Sequence, residues 1–197
     1  MLPILENGCI TVKRPRMANP NMNRQVIDIR TSPGAGDISN EILRRWSDKG
    51  YDQAVKEGNY DRSRERLNFE IAKGGKVVPV DKDRPLDKRM AEMLASRGIK
   101  DPNIGRVSPN IRTAVQFIFS GSHDRMTELA FGNQKVDFEA KCGNENVQRM
   151  PEIEQWAKDI YDFVARKFGE ENIISFGVHM DETTAHAHCD IVPVNEQ

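Results

Sequence analysis

The chain has 197 residues, of which 38% are hydrophobic and 30% charged, which fits one domain with a substantial core, or one such domain with an ordered extension. No apolar run approaches the roughly 18–20 residues that span a bilayer, and the start, Met1 to Cys9, is too short and interrupted for a secretory leader. A net charge of −1 does not advertise nucleic-acid binding, though a neutral total can conceal a basic face.

In chain order, residues 1–22 hold Pro3, Pro15 and Pro20 and read as an irregular N-terminal arm. A strand is expected over 25–30, followed by a turn-rich loop over 32–36. Ile42, Leu43 and Trp46 then fall at helical spacing within 37–51, with Gly50 as the stop. Segments 66–71 and 76–80 flank Gly74-Gly75, which predicts a hairpin. Leu86, Met90, Met93 and Leu94 place a helix over 86–97. Residues 116–119 read as a buried strand, and the polar stretch 132–149 as a long loop. A helix runs over 151–168, with Pro151 in its first turn and an apolar stripe that includes Trp156. Trp46 and Trp156 both read as core. Two strands, 172–178 and 186–194, close the pattern. The widely spaced Cys9, Cys142 and Cys189 suggest reduced thiols in a cytoplasmic protein, not a disulfide framework.

Of the four histidines, His179, His186 and His188 lie within ten residues. Side chains alternate along a strand, so His186, His188 and Asp190 share one face, while Ala187, Cys189 and Ile191 take the other. In the preceding strand Ile174, Phe176 and Val178 share a face, leaving Ser175, Gly177 and His179 opposite. Pairing through the loop 180–185 sets His179 against His186 and Gly177 against His188, with Gly177 leaving room for a ligand. Three imidazoles with open positions suit a divalent cation. Asp181 or Glu182 could orient a ring or bind the ion, and Asp190 could orient a ligand. Imidazole suits zinc and nickel, whereas phosphate chemistry in cells commonly uses manganese or magnesium.

The segment Asn172-Ile-Ile-Ser-Phe-Gly-Val-His-Met-Asp-Glu-Thr-Thr-Ala-His-Ala-His-Cys-Asp-Ile-Val-Pro193 resembles the signature of the MobV-type (Mob/Pre) plasmid mobilisation/recombination relaxases, V-H-x-D-E-S/T-T-x-H-x-H, departing mainly at Ala185, where proline is usual. Ser63-Arg-Glu-Arg-Leu-Asn-Phe-Glu70 is similar to that family's S-R-S-H-L-N-Y-E segment. The resemblance covers roughly 24–197 and implies an α+β fold of the histidine–hydrophobic–histidine endonucleases, with a central antiparallel sheet flanked by helices. It implies a catalytic domain over 23–197, trimmed of a helical C-terminal region. His179, His186 and His188 would hold the metal, assisted by Glu182 and Asp181. The implied activity is metal-dependent, strand-specific nicking and strand transfer on single-stranded or supercoiled origin-of-transfer DNA, through a covalent protein–5′-DNA intermediate. Other mobilisation or conjugation proteins are implied partners. Two alternatives are an inactive origin-binding module and a metallohydrolase acting on a non-DNA phosphoester.

The nucleophile departs from the pattern. Mob/Pre relaxases carry a histidine near the N-terminus in an H-N-E-R-like context; this chain has no histidine before His123, and Ser39 precedes Asn40-Glu41 at the corresponding place. Tyrosine serves elsewhere in the superfamily. Tyr60, in an exposed Gly-Asn-Tyr-Asp turn, is therefore preferred over Tyr51, with Ser39 as a further candidate. His123 reads as structural or exposed. Arg62, Arg64 and Arg66 alternate along an extended segment, and Lys73 and Lys76 flank the hairpin tip; these are the candidate DNA contacts, or else a solvated charged edge.

Overall fold

The computed structural model describes residues 5–6, 9–10, 25–57, 60–140 and 142–194. The expected arm 1–22 lies outside the described residues, apart from an antiparallel pairing of β1 (Leu5–Glu6) with β2 (Cys9–Ile10). Six further strands form one sheet: β3 (Gln25–Ser32), β4 (Phe69–Ala72), β5 (Lys76–Val78), β6 (Ala114–Gly121), β7 (Ile173–His179) and β8 (His186–Ile191). They lie in the order β3-β6-β8-β7-β4-β5 with every pairing antiparallel, so the histidine-bearing pair is central. Gly74 and Gly75, both at positive φ, turn the predicted hairpin between β4 and β5.

Strand alternation gives the sheet two apolar faces. Phe69, Phe117, Phe176, Ala187 and Cys189 pack under α4 (His123–Phe131) and α5 (Pro151–Phe168). The spacing of Ile153, Trp156, Ile160 and Val164 keeps α5 on that face. Its bounds match the prediction because Pro151 opens it and Gly169, at φ 85°, ends it. On the other face lie α1 (Gly36–Ile42) and α3 (Leu86–Ser96), through Ile42, Leu86, Met90 and Leu94. Ile174 belongs to this second core and not with Phe176, because an irregularity between Ile173 and Ser175 turns its side chain through the sheet.

The expected helix over 37–51 is two helices. α1 ends at Ile42, Arg44 adopts a left-handed φ of 50°, and α2 (Asp48–Glu57) begins before Gly50, which it simply contains. α4 is an element the sequence pattern does not predict. Among its described residues the polar stretch 132–149 has no regular element, yet it packs: Val147 is buried and Val136 and Phe138 rest on the core. No helix among the described residues is long and apolar enough to cross a membrane.

Asp190 lies on the histidine-bearing side of β8 but touches no imidazole. It is buried, accepts a 3.2 Å bond from Gln116 Nε2, and leaves Oδ2 without a partner. Burial raises its pKa to about 7. The folded state therefore holds this proton more tightly than the unfolded chain. The associated stability is full below about pH 4 and lost as pH rises through 7. Asp190→Asn is expected to raise stability at pH 8 by about 2–4 kcal/mol and to change it little near pH 4. Denaturant unfolding at the two pH values measures this; equal effects at both would refute it.

Candidate metal centre

β7 and β8 pair in the register the loop length implied, His179 opposite His186 and Gly177 opposite His188. The three ligand atoms lie within 4.8 Å of one another, and the ring centroids are 4.8–5.3 Å apart. The room above Gly177 is not a ligand space: a Cβ there would meet Ile42 Cγ2 at 3.7 Å, ordinary packing contact.

Backbone carbonyls fix two tautomers. His179, 1% exposed, donates from Nε2 to Ile42 O at 2.8 Å, so Nδ1 carries the lone pair. That Nδ1 is buried with no hydrogen-bond partner. His186 donates from Nδ1 to Thr184 O at 2.9 Å, leaving Nε2 as its lone-pair atom, 3.0 Å from His188 Nε2. Two nitrogens bound to one cation at about 2.0–2.1 Å stand about 3.0–3.4 Å apart. The donor set and the orphaned Nδ1 both fit a cation. Burial, and then repulsion by neighbouring imidazole charge, lowers the pKa of His186 and of His188, which keeps both rings neutral and able to ligate.

Glu182 completes the rim. Its Oε1 lies 3.6 Å from both His179 Nδ1 and His186 Nε2 and 2.6 Å from Arg44 Nη2. Its pKa is lowered despite burial; with the imidazoles neutral, Arg44, 2.6 Å away, is the cation that holds it ionised. Asp181, 0% exposed, does not face the histidines. It receives Arg44 Nε and Nη2, each at 2.9 Å, so it anchors the arginine. The left-handed turn at Arg44 is what aims this guanidinium at the two carboxylates.

The loop behind the site is held from below. Arg64 donates to Asp61 Oδ2 at 2.7 Å, to Met180 O at 2.6 Å and to Glu182 O at 3.2 Å. Asn68 Oδ1 accepts from Met180 N, and Asp61 N donates to Asp181 O. Arg64 is therefore corrected as a DNA contact: it is 1% exposed and fully engaged. The segment is a turn and a 3-10 helix (Glu65–Leu67), not an extended strand, so the three arginines share no face. Arg62 and Arg66 are exposed. Lys73 and Lys76 are exposed too, but β4 pairs its first residue, Phe69, with Val178, so the hairpin tip lies at the end of β4 away from the histidines.

Tyr60 is half-buried. Its hydroxyl donates to Glu41 Oε1 at 3.2 Å, and its ring lies 4.6 Å from Arg44 Cζ and beside Trp46. Burial, then Glu182 and Glu41, raise its pKa, so the phenol is protonated and needs a base to react. Tyr51 is buried, 4% exposed, and packs edge-on to Trp46. Trp46 itself sits half-buried in the loop between α1 and α2. Ser39 is 2% exposed and its Oγ accepts at 2.9 Å from the N–H of Leu86, the first residue of α3. Exposed His123, at the start of α4, meets Thr184 Oγ1 at 3.2 Å on the edge of the histidine loop. Sequence reasoning missed Arg44, Asp61 and Asn68 and gave Arg64 a different role; the local signal was that Asp61, Arg64 and Asn68 lie in or beside the 63–70 motif.

Residues 145–197 match a family model described as a plasmid recombination enzyme, Mob_Pre. A plasmid recombination enzyme of Bacillus thuringiensis is 28% identical over 81 residues, 41% of this chain. A plasmid recombination enzyme type 1 of Staphylococcus aureus is 40% identical over 45 residues, 23% of this chain. The matched segments span 14% and 11% of those relatives. The fold is similar to the MobM relaxase domain (MOBV; Mob_Pre) in a manganese-bound crystal structure with plasmid pMV158 oriT DNA. The TM-score is 0.58 at 18% identity, covering 87% of this chain and 71% of that one. A further structure of that domain, with a 23-nucleotide oriT strand, gives 0.56 at 17% identity, covering 87% and 70%.

Proposed function

We propose that this chain, a member of the Mob/Pre plasmid recombination family by its residues 145–197, nicks one strand of an origin of transfer and holds the 5′ end covalently. The observation that carries the reading is the convergence of three imidazole donor atoms within 4.8 Å, one of them a buried lone pair that no protein group uses. A divalent cation, manganese or magnesium, would be held by His179 Nδ1, His186 Nε2 and His188 Nε2 and would polarise the scissile phosphate. The manganese and oriT DNA of the MobM structures support this choice of ion and strand.

The chain's own residues supply the rest. Ionised Glu182 sets the charge beside the imidazoles, and Arg44 holds it there. Tyr60 is the proposed nucleophile: its Oη forms a bond to phosphorus as the bond from phosphorus to the 3′ oxygen breaks. Glu41, already bonded to the phenol, takes the proton. The departing 3′ oxygen takes up a proton to become a hydroxyl. The phosphodiester energy is kept in the phosphotyrosine, so the strand can be rejoined or transferred. Ser39 remains the poorer candidate, since it is 2% exposed and its Oγ already accepts from Leu86 N.

The test is mass spectrometry of the peptide left attached to a cleaved single strand carrying the cognate origin. The adduct is expected on Tyr60. Tyr60→Phe should lower adduct formation by about 10³-fold or more, the scale of losing an essential nucleophile, and Tyr51→Phe should not. Undiminished adduct in Tyr60→Phe would remove Tyr60 from the mechanism.

A further inference from the structure

Beside the metal centre, across Arg44, lies a cavity of about 430 Å³ bordered by Arg44, Arg62, Glu65, Arg66, Asn68 and Lys82. Four of these are cationic and one is acidic, on a chain whose net charge is −1. Arg44 is matched by Asp181 and Glu182, and Arg62 and Lys82 by Asp48, Asp52 and Glu65, so the charge with no carboxylate beside it among the described residues is that of Arg66.

Arg66 is held in place without being neutralised. Its Nη2 is oriented by the carbonyls of Asn144, Glu145 and Val147, and among the described residues it meets no carboxylate. A guanidinium fixed by neutral acceptors keeps its charge and its other N–H groups for an anion. Arg62 and Lys82 have side chains 50% and 46% exposed. They pair with Asp48, Asp52 and Glu65 at the surface, where such pairs contribute little and exchange readily. Lys82 Nζ also lies 3.4 Å from Arg44 O, the residue that separates this cavity from Glu182.

We infer that this cavity seats a backbone phosphate of the same strand whose neighbouring phosphodiester is cleaved at the histidines, with Arg66 as the fixed cation and Arg62 and Lys82 closing on it. The inference rests on the proposed DNA-nicking function. A phosphate held one wall away from the metal centre would fix the register of the strand, since binding to the backbone positions a strand without reading its sequence.

The test uses the full chain loaded with manganese and a fluorescein-labelled oligothymidylate, with anisotropy followed across a salt series. In the wild type, affinity should fall linearly on a log–log plot against salt. Arg62→Ala/Lys82→Ala should bind more weakly at low salt, with a slope shallower by about 0.7 for each phosphate no longer neutralised. Arg62→Lys/Lys82→Arg should keep the wild-type slope. Both positions are half exposed, and an unchanged melting temperature in each variant checks the fold. An alanine pair with the wild-type slope overturns the phosphate seat while leaving nicking intact as a reading. A wild type that does not hold the strand even at low salt overturns both.

Discussion

Replacing His186 or His188 by alanine is expected to lower metal-supported strand cleavage by about 10³-fold or more, equivalent to about 4 kcal/mol of barrier. The two Nε2 atoms stand 3.0 Å apart, so either substitution leaves one imidazole of the pair facing empty space instead of a shared ion. Manganese affinity, followed by electron paramagnetic resonance, should weaken in parallel. Dialysis against a chelator should abolish cleavage and manganese should restore it. His123→Ala, on the rim of the same loop, should retain affinity for the ion, because its bond there is to Thr184 Oγ1 and not to the imidazoles. Full cleavage in both the His186 and His188 variants would dispose of the site.

The largest stability effect is expected at Arg44. Its guanidinium is 1% exposed and neutralises Asp181, which is 0% exposed, through two bonds of 2.9 Å. Removing one partner of a buried pair leaves the other charge uncompensated, at a cost of about 3–5 kcal/mol. For a chain of this size, Arg44→Ala should then melt about 6–20 °C lower. Asp181→Asn added to Arg44→Ala should recover part of the stability, since no buried carboxylate remains. Arg44→Lys should recover little, because an ammonium cannot match the two-point contact. Cleavage should fall as well, as Glu182 loses its 2.6 Å partner. An Arg44→Ala protein that melts with the wild type would contradict this account of the helix break.

The same arginine marks where reading the sequence stops working. Over 37–51 the apolar spacing runs on as though one helix continued. The chain turns at Arg44 because a carboxylate 137 residues away accepts its guanidinium, and local periodicity carries no trace of so distant a partner. Arg64 misleads for a related reason: alternating charges look like an exposed edge until the carbonyls of Met180 and Glu182 arrive to bury one of them. Ile174 takes the face opposite to the one its spacing predicts, because a single irregularity reverses strand parity. α4 gives little signal since its buried residues, Met126, Ala130 and Phe131, are few among polar ones. What is legible rests on short-range rules. The loop 180–185 sets a register, and the register decides which rings meet. Pro151, the apolar stripe and Gly169 bound α5 in the same way.

The carbonyl anchors of the imidazoles have a consequence for how the proposed ion would be held. Ile42 O and Thr184 O aim two of the three rings through the protein's own hydrogen bonds, so holding the proposed ion would cost the protein little conformational freedom. If the proposed site holds a cation, one divalent ion could then replace another on the same scaffold, and its identity would follow from what the surroundings supply more than from any selection the cage imposes.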